Sequence, residues 1–421
     1  MTATLAILFT PAFLVSSTTI MCDVPMLAFW VWAVVLWIEG LEKNNSPRLL
    51  AAVCLITLAE LTKYYGLSLI PLLGAYGIFA KRRVGKWALF FLIPLTVACA
   101  YEWAMYHLYG THILLGAVNY GVAKEGNHFT FGLSSLIGLG FTGACLASIL
   151  FFTPFLWRKI IWIVATLVVS TLAAFLLSPG LFEKYPLLLP RVHVATEIQL
   201  ALWAATGISV LTLAIVDFVA CRDAKSLMLL LWIAGTFIFA AYLNWTVNAR
   251  SILPMAPAVG ILIARRLEKN APALWKLASS LAACAVLTLF VIQADYLQAV
   301  AIRQNVRAIH AAYGQVTTPI WFEGHWGFQY YMSTSGATPL DFMHAQLNPG
   351  DLVVTPSNNT NVLPASPDKT RPLQTCSQSG SPWLATVSQP LGACFYASVM
   401  GPLPFAFGSA PPETASVYVL H

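Results

Sequence analysis

Charge is what this chain has least of. Only 10% of its 421 residues are Asp, Glu, Lys or Arg, against roughly 25% in an ordinary soluble domain. With 58% hydrophobic residues and a mean hydropathy of +0.72, the composition excludes a soluble globular fold and indicates a polytopic α-helical membrane protein. Also missing are a Ser-His-Asp arrangement, a phosphate-cradling glycine loop, zinc-type Cys/His spacing and a dinucleotide fingerprint. The net charge of +6 belongs to loop residues of an apolar chain, so nucleic acid is not an expected partner. No basic n-region and no small-residue cleavage site precede Asp23, and the first apolar run therefore reads as a span and not as a secretory signal. It begins so abruptly that a reading frame starting upstream is expected.

Metal-type cysteine pairs are absent too. Cys22, Cys54, Cys99, Cys145, Cys221 and Cys284 are scattered singly and read as small buried hydrophobes. Cys376 and Cys394, the two in the polar C-terminal region, are a candidate disulfide if that region faces an oxidising compartment.

What the chain does have is apolar runs. At roughly 20 residues per crossing, about eleven are expected, near 4–20, 24–41, 49–62, 65–80, 87–107, 130–154, 160–177, 196–220, 226–243, 250–265 and 273–294. The third and fourth are short and form a hairpin around Leu61-Thr62-Lys63-Tyr64-Tyr65-Gly66, expected to be tilted, re-entrant or embedded in protein.

Most of the 23 Lys and Arg residues fall in one set of loops, at Lys43, Arg48, Lys81–Lys86, Arg158, Lys159, Arg222, Lys225, Arg265–Lys269 and Lys276. By the positive-inside rule these loops are cytoplasmic. The other face then receives Asp23, Lys63, Lys124, Lys184, Arg191, Arg250 and everything after about Asp295. Lys124 and Lys184 lie beside Glu125 and Glu183 and read equally well as solvated loop charges. Lys63 and Arg250 interrupt or abut apolar helices, where an unpaired cation is costly, so each implies a partner or a snorkelling path to the headgroups. Asp23 is a lone carboxylate between two apolar runs, a placement that is usually functional.

The division expected is a transmembrane unit over 1–294 and a small extracytoplasmic α/β domain over 295–421. In the latter, Thr317–Phe322 reads as a strand, 324–332 as a helix, Asp351–Thr355 as a second strand, and 356–392 as long loop. The rings around His325 could present a platform to a sugar, or could simply pack the helix on its sheet.

A cavity with one carboxylate and several cations suits an anionic, lipid-linked substrate: Lys63 and Arg250 for a phosphate, a carboxylate for deprotonating an acceptor hydroxyl. The same charges would also serve a transporter's ion path. A divalent metal stays open, with Asp23, Glu102 or Glu125 as ligand, while His107, His112 and His128 read equally as interfacial histidines.

Three stretches carry a resemblance. Pro11-Ala12-Phe13-Leu14 through Asp23-Val24-Pro25-Met26, Leu58-Ala59-Glu60-Leu61-Thr62-Lys63-Tyr64-Tyr65-Gly66-Leu67, and Asn248-Ala249-Arg250-Ser251-Ile252-Leu253-Pro254 are similar to the GT-C glycosyltransferases of the protein mannosyltransferase and aminoarabinose transferase type. Gly324-His325-Trp326-Gly327 resembles the outer domain of bacterial members. The resemblance implies a GT-C-like fold in the plasma or inner membrane. It further implies inverting transfer of a sugar from a polyprenyl-phosphate donor to a lipid, glycan or protein acceptor at the extracytoplasmic face. Asp23 then matches the family's second acid, on the acceptor side, and the helices and first outer loop that carry the principal acid are missing. Lys63, Arg250 and Arg191 are expected at the donor phosphate, and Tyr64, His128 and His325 at the substrate. The alternative is a non-catalytic relative or a transporter that uses the same cavity.

Overall fold

The computed structural model describes residues 1–116, 119, 131–157, 164–165, 167–172, 185, 193–270, 272–360, 362–363 and 366–421. The first apolar run is two short helices, α1 (Thr2–Leu8) and α2 (Pro11–Ser17). Thr10 separates them because its hydroxyl caps the Phe13 N–H at 3.3 Å, and Pro11 sits where a missing N–H does no harm. Next come α3 (Asp23–Glu42), α4 (Ser46–Thr62), α5 (Leu69–Lys81) and α6 (Leu92–Tyr109). A one-turn 3-10 segment, Tyr64–Ser68, folds the chain back between α4 and α5, so the short hairpin foreseen around 61–66 is present.

The later helices are α7 (Phe131–Cys145), α8 (Ser148–Leu156), α9 (His193–Cys221), α10 (Ala224–Ile238), α11 (Ala249–Ile252), α12 (Ala256–Asn270) and α13 (Leu274–Tyr313). α7 and α9 pack with almost no side chain between them. A Cβ on Gly143 would lie 1.9 Å from the Trp203 carbonyl, and one on Gly207 would lie 2.2 Å from that of Leu139. Small residues at such a crossing let two helix backbones approach where lipid offers no hydrophobic drive to hold them together.

Among the described residues five helices are long and apolar enough to cross a membrane: Asp23–Glu42, Lys86–Tyr109, His193–Cys221, Ala224–Leu243 and Leu274–Tyr313. The count reaches six if Phe131–Cys145 and Ser148–Leu156 are taken as one span, although these two are bent by 86°. Eleven separate crossings are therefore not shown among the described residues. Apolar composition counts α1, α2, α4, α5 and α12 as spans, but they run only 7 to 17 residues, short of a 30 Å core at 1.5 Å per residue. The run expected at 160–177 lies mostly outside the described residues.

The expected division at 294/295 falls inside α13, one continuous 40-residue helix. Beyond it, β1 (Ile320–Phe322), α14 (Trp326–Thr334), β2 (Thr338–Pro339) and β3 (Leu352–Pro356) match the strand, helix and strand read from the sequence. β1 pairs with β3 in parallel. Segment 356–392 is not the long loop expected: it contains β4 (Thr370–Gln378), β5 (Leu384–Ala385) and β6 (Val387–Ser388). β4 is an edge strand with most side chains exposed, so it lacks the alternation by which strands are recognised. After β7 (Ala393–Cys394) and β8 (Ala406–Phe407), β9 (Glu413–Leu420) completes a five-stranded sheet in the order β2-β1-β3-β9-β4.

Two cores result. The sheet, α14 and the far end of α13 share one, containing Phe322, Phe328, Val354 and Val417. Leu384, Leu391, Phe395, Leu403 and Phe405 instead join the large core of the helical bundle. The polar-looking C-terminal stretch thus sends a loop of apolar residues, 384–406, back into the bundle.

Candidate active site

Asp23 opens α3 in its first turn and is 1% exposed. Its Oδ1 accepts a 2.6 Å charged hydrogen bond from Lys63 Nζ, and its Oδ2 has no hydrogen-bond partner. Lys63 reaches it because the backbone leaves the helix there: Lys63 caps α4 in an extended conformation, φ −158°, ψ 123°. Gly66 then folds against the end of α4 so closely that a Cβ would lie 2.5 Å from Ala59 C and Glu60 N. A glycine is required at that contact, and it fixes where Lys63 and Tyr64 emerge.

Arg250 lies in α11, directed by an Asn248 cap on the Ser251 N–H at 2.9 Å. Its Nη1 donates to Met21 Sδ at 3.3 Å, a weak acceptor, and its Nε is buried without a partner. The structure therefore brings Asp23 and Lys63 into contact and sets Arg250 against the residue two before Asp23. Tyr64, 48% exposed, lies beside Lys63 at the edge of an apolar cavity of about 470 Å³ walled by Trp30, Tyr65, Trp232 and Phe239. Tyr65 is anchored there by its hydroxyl on Thr236 at 3.0 Å and by stacking on Trp30.

The C-terminal loop adds residues that the sequence reading missed. Tyr396 donates to Asp295 Oδ2 at 2.8 Å, and Thr386 donates to Oδ1 at 2.9 Å. Burial pushes the Tyr396 phenol well above its ordinary range, Asp295 pushes it further, and the Arg250 charge opposes both. Trp326 packs on Tyr396 with ring centroids 5.9 Å apart, from a backbone at φ +59° that a bulky side chain rarely adopts. Asn359 holds this turn by accepting the His325 N–H at 2.7 Å and donating to its carbonyl at 3.1 Å. His325 itself lies on the C-terminal unit, its Nδ1 3.4 Å from Gln329 Oε1. The one clue in sequence was Asp295, a lone acid in an apolar helix, the same signal that marks Asp23.

Arg191 and His128 lie outside the described residues, as do Lys124, Glu125, Glu183 and Lys184. Cys376 and Cys394 are free thiols in different hydrophobic clusters, Cys376 in the sheet core and Cys394 with Val387, Ala397 and Met400. The disulfide expected between them is therefore not formed. Among the described residues no three His, Cys, Asp or Glu side chains converge as a metal site would require.

Comparison with known proteins adds one positive result: residues 1–106 match the family model of the dolichyl-phosphate-mannose-protein mannosyltransferases. No curated protein and no solved structure matches the chain. The matched segment contains Asp23, Lys63 and Tyr64 and ends within α6. The match covers 106 of the 421 residues, on a chain with five apolar helices of membrane-spanning length among the described residues.

Proposed function

We propose that this chain transfers a sugar from a polyprenyl-phosphate donor to an acceptor hydroxyl at the extracytoplasmic face, with inversion at the anomeric carbon. The observation that carries this reading is the buried Asp23–Lys63 pair, set within the segment that matches the mannosyltransferase family. An ammonium has three donors. Lys63 commits one to Asp23, leaving others for a phosphate oxygen, while Arg250 contributes a guanidinium with no carboxylate on it among the described residues. The free Oδ2 of Asp23 accepts the proton of the acceptor hydroxyl. As that oxygen bonds to the anomeric carbon, the bond to the phosphate breaks, and the lipid phosphate leaves carrying the charge that Lys63 and Arg250 neutralise. The 470 Å³ apolar cavity beside Tyr64 accommodates isoprenoid chain. Arg191 is assigned to the donor phosphate, and His128 and His325 to substrate contact, from family likeness alone.

Support for the face comes from the opposite end of the bundle, where the basic loops converge: Lys225 pairs with Glu42 at 2.9 Å and Lys81 donates to Asn44 at 3.0 Å. Positive loops mark the cytoplasmic side, so the Asp23 end is extracytoplasmic, as is the α/β unit within 295–421. Residues 1–294 then form the transferase unit, completed by the loop at 384–406.

A transfer assay on membranes tests this, with a radiolabelled polyprenyl-phosphate sugar as donor. Asp23→Asn is expected to lower turnover by about 10²- to 10⁴-fold, the usual contribution of a positioned base, with the protein still inserted. Unchanged turnover would remove Asp23 from the chemistry. A reporter fused after His421 is expected on the extracytoplasmic side.

A further inference from the structure

A second, smaller cavity of about 170 Å³ lies between the end of α4, the turn after it, α6 and residues 113–114. Glu60 lines it, 7% exposed, and neither of its carboxylate oxygens has a hydrogen-bond partner. Glu102 lines it from α6, accepting the Leu114 N–H at 3.0 Å and facing His112 Nδ1 at 3.3 Å. Among the described lining residues Lys63 is the one cation, and one of its N–H donors is held by Asp23 at 2.6 Å. Tyr64 and Tyr101 contribute aromatic rings, and Leu61 and Tyr64, each 48% exposed, mark an exposed rim.

A buried carboxylate with both oxygens bare is expensive in a low-dielectric setting and calls for a cationic or donor-rich partner. We propose that this cavity binds a primary ammonium group, with Glu60 as its counter-ion. Such a group brings three N–H donors to the two oxygens of Glu60 and to Glu102, and the tyrosine rings favour a cation beside them. A quaternary ammonium has no N–H and would leave the oxygens unmet. The ammonium belongs either to a lipid headgroup or to a free amine.

The test uses the full chain in phosphatidylcholine nanodiscs, treated with dicyclohexylcarbodiimide, a hydrophobic reagent for buried carboxyl groups, and read by peptide mass spectrometry. Glu60 is expected to be labelled, with the adduct assigned by its loss in Glu60→Gln. Propylammonium at about ten times its dissociation constant is expected to slow labelling about tenfold by mass action, whereas tetramethylammonium at the same concentration leaves it unchanged. Glu102→Gln is expected to preserve labelling and weaken the protection. Protection in discs containing phosphatidylethanolamine, without added amine, assigns the group to a lipid; protection by propylammonium alone assigns it to a free amine. Equal protection by tetramethylammonium or by Mg²⁺, no protection by any amine, or no Glu60 labelling in amine-free discs would overturn the assignment.

Discussion

The two ends of the helical bundle handle charge in opposite ways. At the basic end four carboxylates are matched: Glu39 by Arg48, Glu42 by Lys225, and Asp217 by Arg265 at 2.6 Å, with Asp223 capping the Ser226 N–H at 2.7 Å. At the Asp23 end, Asp23 Oδ2, both oxygens of Glu60 and Arg250 Nε are buried without a partner. None of the charged groups at the basic end has such a bare buried atom among the described residues. One end is built as a settled electrostatic arrangement. The other holds buried charged atoms without a partner among the described residues, which is how a binding site differs from a structural anchor.

Removing one charge at each end is therefore expected to have unequal costs. Lys63→Met strips the one partner from a carboxylate that is 1% exposed, and is expected to cost about 3–5 kcal/mol in stability, read as a large fall in thermal midpoint in detergent. Adding Asp23→Leu to it should recover most of the loss, and failure to recover would mean that the pair is not an isolated buried couple. Gly66→Ala follows, because its Cβ would lie 2.5 Å from backbone; overpacking of this kind costs about 1–3 kcal/mol. Arg250→Gln sharpens the comparison differently. An arginine lacking a carboxylate partner contributes little to stability, so this variant is expected to unfold at or above the parent temperature while donor turnover falls. Arg48→Gln at the basic end removes an exposed pair and is expected to change stability by less than about 1 kcal/mol.

The smallest effect lies in the C-terminal unit. Burial raises the Glu323 carboxyl above its ordinary value, partly offset by the Leu363 N–H it accepts. A carboxyl raised in the folded state binds more protons there than when unfolded, so stability falls as pH climbs through the interval between the two values. Glu323→Gln is expected to flatten the pH dependence of unfolding in that mildly acidic interval, measured by thermal melts across a pH series.

Asp23 was legible because a lone acid in apolar sequence has no cheap explanation. Its contact with Lys63 was not, since it spans 40 positions and depends on the backbone leaving the helix at Lys63. The break at Thr10–Pro11 follows from local capping chemistry, yet hydropathy alone merges the two helices into one span. β1, α14 and β3 were readable from their apolar pattern, whereas β4 was hidden by its exposed, polar edge position. Tyr396 escaped notice for a different reason: its significance comes from three distant segments meeting, which one sequence does not encode in any local signal.

The 40-residue helix Leu274–Tyr313 is about 60 Å long at 1.5 Å per residue. Its near part is seated in the bundle beside α8, and its far part carries Val306 and Ile309 in the sheet core. It therefore has the length of a lever arm. A rotation of roughly 5° at the bundle would sweep the far end by about 5 Å over such a length, so a small tilt among the helices becomes a side-chain-sized displacement of the α/β unit.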